Sequence, residues 1–506
     1  MTLFLVCLAL TYIVTLYFLT NPLKHTRKFM VRRFVNWFPL GMTYAFLYMG
    51  RYNLTVAAVA LGGLMTNKEF GYIASAGATA YALGLLFVGP AVDHLGGKRG
   101  MVLGALGSAL MNLCMAGVIY LKLNGRLDVS MAVALGVLYG INMLFQSFGA
   151  VSTIKVKSYW FHVRERGTFG AIFGTLISMG VYFAFDWGRA IASAVQLEQP
   201  AEPTMTRRLL DTLFALEGRT VPALWLIFAI PAGIMIVWAL IDVAVLRDTP
   251  DQAGFDPLDT HDASSDDAPE AKTTYFQTIW KVLSNPIILM IGVVELTSGV
   301  LRDGILNWYL LFAKQTPAGL PTVTANWGFW NCVTGIAGGF TAGWVSDKFF
   351  HSRRSPSAAL MQVVMFATTG VMILMLMLQP VDAVAKGDGS FGDLLIAWRP
   401  TVIGVCAVMT MMAVIGVHSI MSGTATADFG GKKAAATATG IADAFSKLGS
   451  AIQAFVLGIL TTKSWAYWPM FLFPFTIIGL VFAIKMWTMM PAATRRYIAE
   501  VEGKKV

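Results

Sequence analysis

GVLRDGILNWYLLFAK, residues 299–314, sets a single arginine, Arg302, inside an apolar segment that extends from about 286 to 312. A segment of that length can cross a bilayer, which takes roughly 20 apolar residues. A guanidinium stays charged at physiological pH, and carrying it to bilayer depth costs at least about 2.5 kcal/mol. Such a residue is expected to face a cavity or a partner rather than lipid. Arg51 sits in a comparable place, inside an apolar segment from about 34 to 63.

The rest of the chain has the same character. Its 506 residues are 56% hydrophobic and 13% charged, with a mean hydropathy of +0.64, whereas a soluble chain carries about 25% charged residues. The fold class that follows is an all-α polytopic membrane protein. The net charge of +10 resides in short loops between apolar segments, which argues against nucleic-acid binding. Cys7, Cys114, Cys332 and Cys406 are widely separated within apolar segments and have neither metal-ligand nor disulfide spacing. No P-loop sequence, catalytic constellation or metal-ligand cluster stands out, so no enzyme activity, metal or cofactor is expected.

Thirteen apolar segments can be drawn. The first, 3–19, has no basic stretch before it and no small-residue cleavage site after it, so an uncleaved extra transmembrane helix is expected within 1–23. Six more, at about 34–63, 71–92, 101–121, 130–157, 168–194 and 222–246, form a unit over 30–246. The last six, at about 286–312, 324–346, 357–379, 399–421, 434–461 and 466–489, form a unit over 281–490. Between the units, 247–280 is acidic and rich in Asp, Ser and Pro, and reads as a flexible loop. A tail follows at 491–506. Twenty-one Lys and Arg residues fall on the side of the basic segment 24–33 and ten on the other side. That bias puts the central loop, the tail and the C-terminus in the cytoplasm.

The two units resemble each other. GPAVDHLGGKRG at 89–100 follows one segment, and GWVSDK at 343–348 follows its counterpart. Arg51 precedes Asp93 much as Arg302 precedes Asp347. A repeat of about 250 residues is the signature of a transporter with its site between two like bundles. The first motif resembles the loop signature of the major facilitator superfamily. Arg51, the LRDGILNW run at 301–308, IGVH at 415–418 and the stretches GGKKAAATATG (430–440) and DAFSKLGS (443–450) resemble the organophosphate:phosphate antiporters of that superfamily, over about residues 30 to 490. The resemblance implies twelve transmembrane helices in two bundles, beside the extra N-terminal one. It also implies exchange of an organic phosphate (glycerol-3-phosphate or a hexose phosphate) for inorganic phosphate across the inner membrane, by a protein that functions as a monomer. Arg51 and Arg302 match the arginine pair that binds substrate phosphate. The family's bacterial glycerol-3-phosphate carriers have a histidine at the position of Ile177 and a lysine at that of Leu85, so the auxiliary ligands differ here.

The chemistry of the two arginines agrees with that implication, because a guanidinium fork matches phosphate bidentately. Asp303, about 100° around the helix from Arg302, is expected to face elsewhere. Lys155 either adds charge to the cavity or snorkels to headgroups, and Lys157 is expected to snorkel. Lys447 either pairs with Asp443 at i, i+4 or faces the cavity. Asp186 and Arg189 are expected to pair. His418 is either a packing residue or a substrate ligand, and Glu295 is a candidate proton carrier. Tyr48, Tyr52, Asn53, Trp308 and Tyr309 flank the arginines and are candidates to line the cavity. Asp93, Arg99 and Asp347 are expected to gate the cytoplasmic side through ion pairs. A sugar-phosphate sensor of the same family and a proton-coupled porter for another organic anion are the alternative functions.

Overall fold

A chain in hydrocarbon must satisfy every backbone N–H and C=O internally, so its apolar runs are obliged to form helices. The computed structural model describes residues 2–162, 165–198, 202–258, 275–350, 353–387 and 389–489, with no strand among them. In chain order the helices are α1 (Thr2–Leu19), α2 (Arg27–Leu61), α3 (Asn67–Leu95), α4 (Gly97–Leu123), α5 (Met131–Trp160), α6 (Arg166–Tyr182), α7 (Gly188–Ala194), α8 (Met205–Phe214) and α9 (Leu226–Val245). There follow α10 (Tyr275–Leu283), α11 (Pro286–Leu306), α12 (Trp308–Gln315), α13 (Pro321–Ala325), α14 (Trp327–Phe350), α15 (Arg354–Met377), α16 (Phe391–Ile420), α17 (Thr426–Leu460) and α18 (Tyr467–Lys485). Eight helices among the described residues are long and apolar enough to cross a membrane. α11 is not one of them, because Glu295, Arg302 and Asp303 all fall within its 21 residues. The loop stretch 259–274, the tail 491–506 and the side chains of the 430–436 run lie outside the described residues.

The packing repeats. α2 packs on α6 and α9, α3 on α5, and α4 on α5 and α9. Later in the chain α11 packs on α17 and α18, α14 on α16, and α15 on α16 and α18, helix for helix the same arrangement. The two sets meet where α3 lies on α17 and α6 on α14. Gly71 and Gly458 let α3 and α17 touch: a Cβ on Gly71 would stand 2.6 Å from the Gly458 Cα.

Three expected segments are more broken or longer than their hydropathy suggests. The segment over 286–312 divides at Asn307, and the Gly304 and Leu306 carbonyls beside the break accept from the indole N–H groups of Trp468 and Trp327, at 2.8 and 2.9 Å. The segment over 168–194 contains a π turn, Phe183–Trp187, that carries Asp186. That carboxylate accepts from the Gly328 and Phe329 N–H groups at the start of α14 (2.8 and 3.0 Å) and closes no ion pair with Arg189. A helix N-terminus offers free N–H donors and a positive dipole end, so it outcompetes the expected i, i+3 partner. α16 continues through a second π turn, Met421–Ala425, into α17. Neither α8 nor α10 was expected from hydropathy, and α10 begins inside the 247–280 stretch.

The hydrogen bonds between the two sets all lie away from the basic segment 24–33, among the described residues. They are the Asp186 bonds, Thr55 Oγ1 to Asn307 Oδ1 (2.9 Å), the Asn67–Gln315 amide pair (2.8 and 3.1 Å) and Ser75 Oγ to the Ala451 carbonyl (2.9 Å). The sets are therefore tied together on the face opposite the basic one. On the basic face α1 is fastened by Tyr17, whose hydroxyl donates to the Met30 carbonyl (2.9 Å) and accepts from Arg33 Nε (3.0 Å). Arg33 also holds Glu165 at 2.9 and 3.0 Å.

Two outcomes follow. Asp186→Ala should weaken the tie between the sets by about 1–3 kcal/mol. An impermeant maleimide should then label a cysteine at Ala74 at least about fivefold faster; an unchanged rate would show that Asp186 is no latch. Burial pushes the Glu165 carboxyl up, but the Arg33 hydrogen bonds and charge outweigh it and hold the group below its ordinary range. A depressed carboxylate stabilises above its unfolded pKa and loses that contribution as pH falls through the folded one. Thermal stability should therefore drop less on acidification in Glu165→Gln than in the parent.

Candidate anion site

The first arginine stands among neutral groups. Arg51, on α2, is 5% exposed. Its Nη2 donates to Gln146 Oε1 (3.3 Å) and to the Tyr81 hydroxyl (3.5 Å), and its guanidinium lies 4.7 and 4.8 Å from the ring centres of Tyr48 and Tyr81. Its Nε is buried without a hydrogen-bond partner. Among the described residues no carboxylate comes within ion-pair distance of it. Gln146 is fixed in turn, donating to the Leu47 carbonyl (2.8 Å) and to Ser108 Oγ (2.9 Å). Ser108 donates to Asn142 Oδ1 at 2.6 Å, and Asn112 links Asn142 to Asn53. This buried network spans α2, α4 and α5, and Tyr139 completes it by donating to the Arg51 carbonyl at 2.8 Å.

The second arginine stands among charges. Arg302 Nε lies 3.3 Å from Asp303 Oδ1, and Lys447 Nζ lies 3.6 Å from Asp303 Oδ2. The expectation for Asp303 is corrected, and of the two readings of Lys447 the pair with Asp443 is not formed while the side chain lines the cavity. Asp303 does not face away, because the arginine side chain is long enough to bring its Nε back alongside the neighbouring carboxylate. Nor does Lys447 close a pair with Asp443, which instead accepts a hydrogen bond from Ser422 Oγ. The cause is the close approach of α11 and α17 at two glycines. A Cβ on Gly299 would stand 1.8 Å from the Ser446 carbonyl oxygen, and one on Gly449 2.1 Å from that of Leu296. At that separation Lys447 reaches across to Asp303.

The two clusters meet at Tyr81 of α3, whose ring lies under both Arg51 and Lys447, the latter at 5.4 Å. Tyr48 and Tyr52 are close enough to act electrostatically on Arg302 from across the gap. The cavity between the sets is small, about 30 Å³, and is lined by Arg51, Tyr52, Tyr139, Asp303, Asn307 and Lys447 among others. Two cations and one carboxylate line it, and a third cation, Arg302, stands beside that carboxylate. Such a site favours an anion of up to two charges, with forked donors to orient it.

The remaining candidates divide. His418 Nδ1 lies 2.6 Å from Glu295 Oε2, which joins α16 to α11. Trp308 is fully buried with its N–H on Gln453 (3.0 Å), and Tyr309 stacks on Trp327 while its hydroxyl accepts from the Leu320 N–H. Lys155 is held by Asp93 at 2.7 Å, away from the cavity. Asp347 is held by Arg354 at 2.7 Å, so both carboxylates tie helices of the same set on the basic face. Arg99 is exposed and makes no ion pair among the described residues. Tyr81, Tyr139, Gln146 and Asn307 were not singled out from sequence. The signal was present for two of them: Tyr139, Asn142 and Gln146 recur at i, i+3 and i+7, one polar face on an apolar helix.

A model of the major facilitator superfamily matches residues 40–454 of the chain. A glycerol-3-phosphate transporter of Bacillus subtilis is 24% identical over 460 residues, which span 88% of this chain and 90% of that protein. The membrane sensor protein UhpC of Salmonella typhimurium is 24% identical over 464 residues, 89% of each chain. A "Probable hexose phosphate transport protein" of Chlamydia muridarum is 25% identical over 503 residues, 94% of each. The inward-open xylose transporter XylE of E. coli is similar in fold, with a TM-score of 0.59 at 13% identity over 90% of this chain and 96% of that one.

The buried network makes its own demand. Gln146→Leu would leave Arg51 Nη2 and Ser108 short of a partner, which should lower stability by about 1–3 kcal/mol. Thermal unfolding in detergent measures this, and a loss well below that range would mean the network does not hold Arg51.

Proposed function

Because the chain belongs to the major facilitator superfamily, and so is a multi-pass membrane transporter, we propose that it exchanges an organic phosphate ester for inorganic phosphate by alternating access. The observation that carries this reading is Arg51. A buried guanidinium whose Nε–H has no partner and that has, among the described residues, no carboxylate at ion-pair distance is suited to bind an anion. Across the cavity Arg302 and Lys447 share a single carboxylate. A phosphate dianion would match the two positive charges left over and take forked hydrogen bonds from both guanidinium groups. The relatives named for glycerol-3-phosphate and hexose phosphate support the substrate class.

Exchange follows from the same charges. Two bundles, 30–246 and 281–490, rock about the site while the empty cavity's excess positive charge opposes closure around it. A bound phosphate removes that excess and lowers the barrier. An ester and free phosphate present the same group to the arginines, so either completes the cycle and the phosphate gradient drives it. The Lys and Arg distribution orients the molecule with the basic face in the cytoplasm of a cell whose inner membrane it spans. The ties on the opposite face hold the sets together there, so the cytoplasmic side is the one free to open.

The test is [32P]phosphate counterflow in proteoliposomes preloaded with phosphate. Arg51→Lys and Arg302→Lys keep the charge but lose the fork, and each should cut counterflow at least about tenfold. Glycerol-3-phosphate or a hexose phosphate should compete. Phosphate-ester binding without counterflow would assign the chain to the sensor class instead. Neither binding nor counterflow would overturn the phosphate reading.

A further inference from the structure

One buried ionisable pair lies off the arginine clamp. Glu295 on α11 is fully buried, and its Oε2 is 2.6 Å from His418 Nδ1 of α16 while its Oε1 has no hydrogen-bond partner. The His418 side chain is 30% exposed, so one end of the pair is closed in and the other is the more accessible. Glu295 precedes Arg302 by seven residues, two turns of α11, which sets the two on one helix face about 10.5 Å apart along the axis. The charged groups that act on the pair are Arg302 from α11 and Asp443 from α17. α14 and α15, also packed on α16, carry Asp347, Lys348 and Arg354 at their basic-face ends.

We propose that Glu295 and His418 form a proton-binding site of the transport cycle, loaded together with the anion. The proposal rests on the phosphate reading above. In the resting pair, His418 donates its Nδ1–H to Glu295 and leaves Nε2 free. Nε2 then accepts a proton from water on the open side, giving an imidazolium beside a carboxylate. No covalent bond changes, and the proton returns to water when Nε2 releases it.

Charge counting says why the proton follows the anion. The wall of the cavity, with Arg51, Arg302 and Lys447 against Asp303, has an excess of two positive charges, but Asp443 and Glu295 outside its lining bring the wider group to neutrality while His418 is neutral. A phosphate dianion drives this group two charges negative, and one proton on His418 offsets half of that. Adding the same proton to the empty site would leave it positive. Anion and proton therefore favour each other, and the coupling is reciprocal: bound phosphate raises proton affinity, and a lower pH raises phosphate affinity. A purely structural tie between α11 and α16 would show neither effect.

The experiment is isothermal calorimetry of inorganic phosphate binding to the purified full-length protein in buffers of different ionisation heat. It is run above the ionisation that phosphate undergoes near neutrality, so that the ligand itself gives up or takes up little. The slope of heat against buffer ionisation heat counts protons. The parent should take up close to one proton per phosphate and lose affinity by up to about tenfold per pH unit. His418→Asn and Glu295→Gln should still bind phosphate, with proton uptake near zero and little pH dependence. Glu295 is fully buried, so His418→Asn, at the partly exposed end, decides the matter if Glu295→Gln does not fold. Phosphate binding with no proton uptake by the parent, or equal uptake by parent and His418→Asn, would overturn the proposal. No phosphate binding by the parent would instead overturn the anion reading on which it rests.

Discussion

A buried guanidinium with no carboxylate beside it among the described residues is the constraint on which this molecule turns. Arg51 cannot be neutralised, and cation–π contacts with Tyr48 and Tyr81 and bonds to neutral partners compensate it only in part. Much of the first helix set serves that one side chain. Gln146 faces it, Ser108 and Asn142 hold Gln146, and Tyr139 holds its backbone. Such a network is stable only when each member is satisfied, and the remaining deficits sit at the Arg51 Nε and the Asn53 Oδ1.

The second helix set meets the same problem by another route. Arg302 has Asp303 beside it, and Asp303 also draws in Lys447. The two halves therefore repeat each other in packing but not in electrostatics: one wall is aromatic and neutral around its cation, the other a ladder of alternating charge. Tyr81 joins them. An anion entering between the walls gains most from Arg51, which has no counter-charge to give up, and must share Arg302 with Asp303. That asymmetry suits a ligand with a charged end and a neutral end, such as a phosphate ester.

Much of this was legible in the chain itself. Hydropathy located the long apolar helices, and the rarity of charge inside the apolar segments singled out Arg51, Arg302, Glu295 and Lys447. The partners of these residues were less legible, because partners depend on how closely helices approach. Gly299 and Gly449 bring Lys447 within reach of Asp303 in preference to Asp443, four residues away on its own helix. Asp186 likewise passes over Arg189 for the start of α14. Nothing in local periodicity reports a helix terminus supplied by a segment more than a hundred residues later. The breaks at Asn307 and at the π turns were hidden for a similar reason: apolar composition continues through them, and tryptophans remote in sequence take up the carbonyls beside the Asn307 break.

The most direct test of the central claim is a crystal structure grown with arsenate, whose arsenic can be located by anomalous scattering. The account predicts one principal peak between the Arg51 and Arg302 guanidinium groups, with arsenate oxygens within hydrogen-bond distance of both and Asp303 drawn back from Arg302. An arsenate found elsewhere, with the Arg302–Asp303–Lys447 cluster intact and Arg51 still without an anionic partner, would contradict it.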